Sequence, residues 1–149
     1  MKQLSWIVAA LAALLSLQAL GAHPGFNEVA GSVLHNGLDG QLPPHLSLVL
    51  GIGSGEAPLK VKQAVLREGP EVRVFNVSVV NPKDIVILRT NELQQTTKAY
   101  LLSTTGKLRM AVAFRAGEPT QQIPSADAKA AAADEVQFWS NLGQRAPDR

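Results

Sequence analysis

A central stretch, residues 59–115, constrains the fold more than any other part of the chain. Within it, short runs of alternating apolar and polar residues are separated by turn residues such as Asn81-Pro82 and Gly106. Such alternation is typical of β-strands, and short connections between strands favour antiparallel pairing. The stretch therefore predicts an antiparallel meander of four to five strands, in which residues 95–103 and 107–115 form a hairpin.

Residues 71–80 interrupt this alternation. Val72 and Val74 share one parity, whereas the apolar residues that follow have the other: Phe75, Val77 and Val79. A phase change of one residue within a strand is what a β-bulge produces. We therefore expect a bulge in this strand.

Helical spacing of apolar residues flanks the central stretch on both sides. Residues 26–38 predict a helix that ends at Asn36-Gly37 or at Asp39-Gly40. A second helix is predicted to begin at Ser125 as its N-cap and to end at Gly143 as its C′ residue. We expect both helices to pack on one face of the sheet.

Residues 43–50 leave two interpretations open. Their prolines could start a short helix, but Leu46, Leu48 and Leu50 alternate, which favours an extended segment. The glycine-rich residues 51–55 that follow have neither the spacing of a dinucleotide fingerprint nor a helix after them, so we interpret them as a linker. The fold class expected is thus a single small α+β domain over residues 23–143, followed by a disordered tail, residues 144–149.

The first 22 residues have the features of a secretory signal peptide. A positive charge at Lys2 precedes the apolar stretch of residues 4–20, and small residues follow it. Cleavage is expected either at Gly21/Ala22 or at Ala22/His23, leaving no stable membrane anchor. The short leader is of bacterial type and predicts a periplasmic protein, with secretion as the alternative.

Composition excludes several classes of function. The chain has no cysteine, which rules out disulfides, thiolate metal sites and cysteine nucleophiles. Without Lys2, 13 basic residues stand against 12 acidic ones, so there is no excess of positive charge of the kind that nucleic-acid binding needs. No cofactor motif is present, and no cofactor is expected.

Basic residues on the predicted strands are the candidate binding residues. If several share one sheet face, they would suit a carboxylate, a phosphate or an acidic partner surface, although charged strand residues can also simply face solvent. The candidates are Arg73, Arg89, Arg109 and Arg115, with Lys98 beside them. The leading hypothesis is a non-enzymatic binding or accessory protein whose unknown ligand or protein partner meets the open sheet face or the groove beside the C-terminal helix.

Two other hypotheses rest on the three histidines. Cleavage before His23 would expose an N-terminal histidine that can chelate copper, with His35 or His45 completing the site. Alternatively, His35 or His45 could activate a serine in a small hydrolase, or such an enzyme could use two paired carboxylates, but no nucleophile motif such as G-x-S-x-G is present.

Overall fold

The protein folds into a seven-stranded antiparallel sheet with helices on both faces. The computed structural model describes residues 26, 29–31, 33, 35, 37–53, 56–80 and 82–145. The predicted signal peptide, His23 and residues 146–149 lie outside the described residues. The class is α+β, as predicted, but the strand number is seven rather than four to five.

The strands follow one another across the sheet in sequence order, so every connection joins neighbours. Two short strands lie at the edges, β1 (Leu38–Leu42) and β7 (Gln121–Gln122). Five longer strands lie between them: β2 (Leu59–Glu68), β3 (Glu71–Ser78), β4 (Ile85–Asn91), β5 (Thr96–Leu102) and β6 (Leu108–Arg115). Both edge strands were missed in the sequence, because β1 contains the turn-forming pair Asp39-Gly40 and β7 has only two residues.

One face of the sheet, the α2 face, is covered by the C-terminal helix α2 (Ser125–Arg145) and by an N-terminal helical segment. That segment includes the helical residues 26, 29–31, 33 and 35 and is closed by Gly37, whose N–H donates to Val33 O at 2.8 Å. Both elements bury apolar side chains against the same strand residues. The shared core includes Phe26, Val29, Phe75, Ile87, Tyr100, Val136 and Trp139.

The opposite face, the α1 face, is covered in part by the short helix α1 (Pro44–Leu50). The extended conformation favoured for this segment is therefore wrong. Pro44 stands in the first turn, where its missing N–H leaves no hydrogen bond unmade, and Gly51 ends the helix in the left-handed conformation at φ 70°. Leu46 and Leu50, one turn apart, are buried against the sheet, whereas Leu48 is exposed.

The bulge expected in β3 is not there. The register of β3 with both neighbours is continuous from Glu71 to Val77, and the irregularity lies instead between Leu101 and Leu102, opposite β6. Phe75 and Val77 are buried in the core beneath α2, whereas Val72 and Val74 are partly buried on the opposite face. Two-sided burial produces the same pattern as a phase change.

Gly143 is not a helix terminator, since α2 continues to Arg145. The glycine is required instead by the close approach of the N-terminal helical segment. A β-carbon at position 143 would collide with the Val29 side chain and would lie 3.2 Å from Val29 Cα.

This packing predicts opposite effects for two helical glycines. Gly31→Ala, which meets nothing within 4 Å, should raise the free energy of unfolding by up to about 1 kcal/mol through helix propensity. Gly143→Ala should lower it by about 1–3 kcal/mol through overpacking. Urea denaturation measures both. The double variant Val29→Ala/Gly143→Ala should be less destabilised than the sum of its single changes, and strict additivity would refute the contact.

Candidate functional site

Three basic residues lie directly opposite one another on the α2 face. Arg73 of β3 pairs with Arg89 of β4, and Arg89 pairs in turn with Lys98 of β5. Directly opposed residues of an antiparallel pair have β-carbons about 4.5–5.5 Å apart, and like charges at that spacing are destabilising. This cationic row, Arg73, Arg89 and Lys98, therefore needs negative charge from another part of the molecule.

Helix α2 supplies the main counter-charge through Glu135, which is only 1% exposed. Glu135 Oε1 accepts hydrogen bonds from Arg73 Nε at 3.3 Å and from Arg89 Nη1 at 3.5 Å. The helical spacing of Ala128, Ala132, Val136 and Trp139 turns this side of α2 towards the sheet, and this orientation brings Glu135 over the cationic row.

Burial has a larger effect on the pKa of Glu135 than its pairing with the arginines has. Burial raises the pKa of the Glu135 carboxyl, while Arg73 and Arg89 oppose that rise. Trp139, one helical turn later, also favours the charged carboxylate, but its Nε1–H does not complete a hydrogen bond with good geometry. Glu135 Oε2 and Trp139 Nε1 are both buried without a hydrogen-bond partner among the described residues.

The two arginines of the row are held differently. The Arg73 guanidinium carbon lies 4.0 Å from the centre of the Phe138 ring, a cation–π contact that fixes it beneath α2. Arg89 is more open: its side chain is 40% exposed, against 21% for Arg73. Its Nε donates to Glu71 Oε2 at 3.3 Å, and Asn91 Nδ2 donates to the other oxygen of Glu71 at 3.1 Å.

A polar groove of about 240 Å³ lies between the sheet and α2 beside this network. It is lined by Glu71, Arg89, Asn91, Gln94, Thr96, Lys98, Tyr100 and Ala131. Lys98 is exposed there and has no acidic partner among the described residues. Burial raises the pKa of the Tyr100 hydroxyl, and the charge of Glu135 adds to the rise while Arg89 opposes it. Tyr100 is therefore a neutral hydrogen-bonding group at neutral pH.

The groove continues towards β6. A second cavity of about 250 Å³ shares Gln94, Thr96 and Lys98 with the first and extends to Arg115. Arg115 lies opposite Thr96 in the register, on the same face as the cationic row. The groove thus contacts three cations along its length: Arg89, Lys98 and Arg115.

The structure brings together three of the four arginines that the sequence singles out. Arg73, Arg89 and Arg115 share the α2 face, whereas Arg109 lies near the register shift of β5 and β6, where its Nη1 donates to Asp84 Oδ1 at 2.5 Å. The face they share is the one that α2 covers, not an open one. Glu135 was missed, because a lone glutamate in an alanine-rich helix looks like a solvated residue in the sequence.

The histidines do not form a common site. His35 belongs to the N-terminal helical segment of the α2 face, while His45 lies on α1, where its Nε2 is 3.3 Å from Thr120 Oγ1. In the part of the chain that the structure describes, no group of three or more potential metal ligands is present. The copper hypothesis depends on His23, which lies outside the described residues, so copper binding stays a prediction.

Comparison with known proteins gives no match to a family model, to a curated protein or to a solved structure. None of the described helices is long and apolar enough to cross a membrane. The chain's own geometry therefore has to supply the functional hypothesis.

The raised pKa of Glu135 predicts how stability depends on pH. A carboxyl whose pKa is higher in the folded than in the unfolded chain adds stability at low pH and loses that contribution as pH rises through the folded-state pKa. Glu135→Gln removes this dependence. The melting temperature of the wild type minus that of the variant should therefore become more positive as pH falls from 7 to 5, and a difference that shrinks over this range would contradict the assignment.

Proposed function

We propose that this protein is an exported, non-enzymatic binding or accessory protein that holds a small anionic ligand in the groove between the sheet and α2. One observation carries the proposal. Lys98 stands beside Arg89 at the end of a row of three cations, and among the described residues it is the member of that row without a carboxylate partner. An anion bound there would complete the charge balance that Glu135 and Glu71 provide only for the arginines.

The lining of the groove favours a ligand with a carboxylate or phosphate group. A guanidinium presents a planar fork of donors that matches either oxyanion, and a neighbouring ammonium adds a compact charge. The side chains of Asn91, Gln94 and Thr96 offer hydrogen bonds to a polar ligand body. The cavity beside Arg89, of about 240 Å³, is by itself small for a drug-sized ligand, so a ligand confined to it would have few heavy atoms, whereas a longer one would extend into the second cavity towards Arg115.

The same lining supports binding rather than hydrolysis. No histidine is among the described residues of the groove. Glu71, the carboxylate of its first cavity, is occupied by Arg89 and Asn91, and the second cavity adds Glu118 without a histidine beside it. Positioned nucleophile and base pairs, the usual requirement of a hydrolase, are not among these side chains.

Export is the second part of the proposal and rests on residues 1–22. Their order of charge, apolar stretch and small residues supports transport out of the cytoplasm. The absence of cysteine is compatible with an oxidising compartment, because the sheet has a hydrophobic core on each face and needs no covalent links. We favour the periplasm over full secretion.

Two charge-removing variants with a matched control test the binding site. Lys98→Gln and Arg89→Gln should each weaken anion binding by about tenfold to a hundredfold, the effect expected for one charge-assisted hydrogen bond. Lys107→Gln removes an exposed lysine from the turn at the opposite end of β5 and should leave binding unchanged.

Native mass spectrometry of protein purified from the periplasm would first identify any ligand that co-purifies. Calorimetric titration with inorganic phosphate and with succinate then compares the two oxyanion types across the variants. Equal affinities for Lys98→Gln and Lys107→Gln would remove the groove from consideration.

A further inference from the structure

We propose that anion binding in the groove is coupled to the uptake of one proton by Glu135. The ligand takes over the role of counter-ion to Arg89, and the Glu135 carboxylate forms an O–H bond with a proton from the solvent. This inference rests on the proposed function and assigns Glu135 as a positioning residue that acts on the ligand through Arg89.

The contacts of Glu135 are suited to such an exchange. A single oxygen, Oε1, serves both arginines at 3.3 and 3.5 Å, which is longer than the 2.7–2.9 Å of a strong charge-assisted hydrogen bond. The other oxygen, Oε2, is buried without a partner among the described residues. The contacts to the arginines are therefore long, and within the described part of the chain Oε2 has only the nearby Trp139 indole to favour its charge.

The surroundings of Glu135 determine the direction of the coupling. The charged and titratable groups that face it are Arg73 from β3, Arg89 from β4 and Tyr100 from β5, and Trp139 faces it from α2 itself. The two arginines favour the charged form of the buried carboxylate most strongly, and Trp139 adds to their effect. An anion that engages Arg89 withdraws part of that support and adds a negative charge nearby, and both effects favour protonation.

Glu71 is the other carboxylate that contacts Arg89, but its environment differs. Its side chain is 35% exposed and it keeps the hydrogen bond from Asn91. Solvent and Asn91 still stabilise its charge when a ligand approaches Arg89. The proton is therefore assigned to Glu135, whose burial is nearly complete.

Sulfate is a suitable probe because its charge is constant between pH 5 and pH 8. Calorimetric titration of the full mature protein in buffers of different ionisation enthalpy gives the number of protons taken up for each sulfate bound. Proton uptake should be greatest between the pKa of Glu135 in the free protein and its higher pKa in the complex, and it should not exceed one. The affinity should rise by up to about tenfold for each unit that the pH falls, which is the limit for one linked proton.

Two isosteric variants distinguish a specific role of Glu135 from the general effect of removing a carboxylate beside Arg89. Glu135→Gln should bind sulfate with no proton uptake and with nearly constant affinity, and at pH 8 it should bind more tightly than the wild type because the competing carboxylate is gone. Glu71→Gln also removes a carboxylate from Arg89 but should retain the proton uptake.

The fluorescence of Trp139 provides a test on the wild type alone, since Trp139 is the one tryptophan after residue 22 and lies one helical turn from Glu135. Saturating sulfate should move the midpoint of its pH titration to higher pH. Sulfate binding without proton uptake and with an unmoved midpoint would overturn the coupling and leave the binding function intact. If sulfate does not bind at any pH, both the coupling and the proposed function fail.

Discussion

A single buried carboxylate, Glu135, joins the C-terminal helix to the most highly charged part of the sheet. Without negative charge above it, the row formed by Arg73, Arg89 and Lys98 would place like charges directly opposite one another on three adjacent strands. Glu135 removes this conflict for the two arginines, but it does so from a position with almost no solvent. A buried ion pair of this kind adds little net stability because desolvation of the charges offsets their attraction. We interpret its role as fixing the arginines in place for a ligand.

The position of the groove follows from how α2 lies on the sheet. Its apolar side chains pack against one half of the α2 face, and beyond them the strands carry Arg89, Lys98 and Thr96 instead of core residues. Water and ligands can reach these polar side chains beside the helix, while the same helix shields Arg73 and Glu135. The graded exposure of the cationic row, from Arg73 to Lys98, is therefore a consequence of how α2 packs on the sheet. This gradient is the feature that supports the proposed binding site over a simple solvated strand face.

The sequence predicted the long strands well, but it did not show which side chains the fold buries. Alternation located the five long strands, because a period of two residues is a local property of the backbone. It was misleading for β3, where Val74 and Phe75 are both apolar but lie on opposite faces, and only Phe75 is buried in a core. It was also misleading for α1, where Leu46, Leu48 and Leu50 alternate by coincidence. This segment forms a helix that begins at Pro44 and ends before Gly51.

For the candidate site, the sequence identified the basic residues but not their arrangement. Arg73, Arg89 and Arg115 stand out as charges on strands, yet Arg109 has the same appearance and lies elsewhere, paired with Asp84. By itself, the sequence determined the absence of thiol chemistry and the antiparallel meander and predicted a leader, since these depend on composition and short-range periodicity. Only the tertiary structure decided which charges meet, because the contact between Arg73 and Glu135 joins residues 62 positions apart. Strand register and helix docking, which no local pattern encodes, bring that pair together.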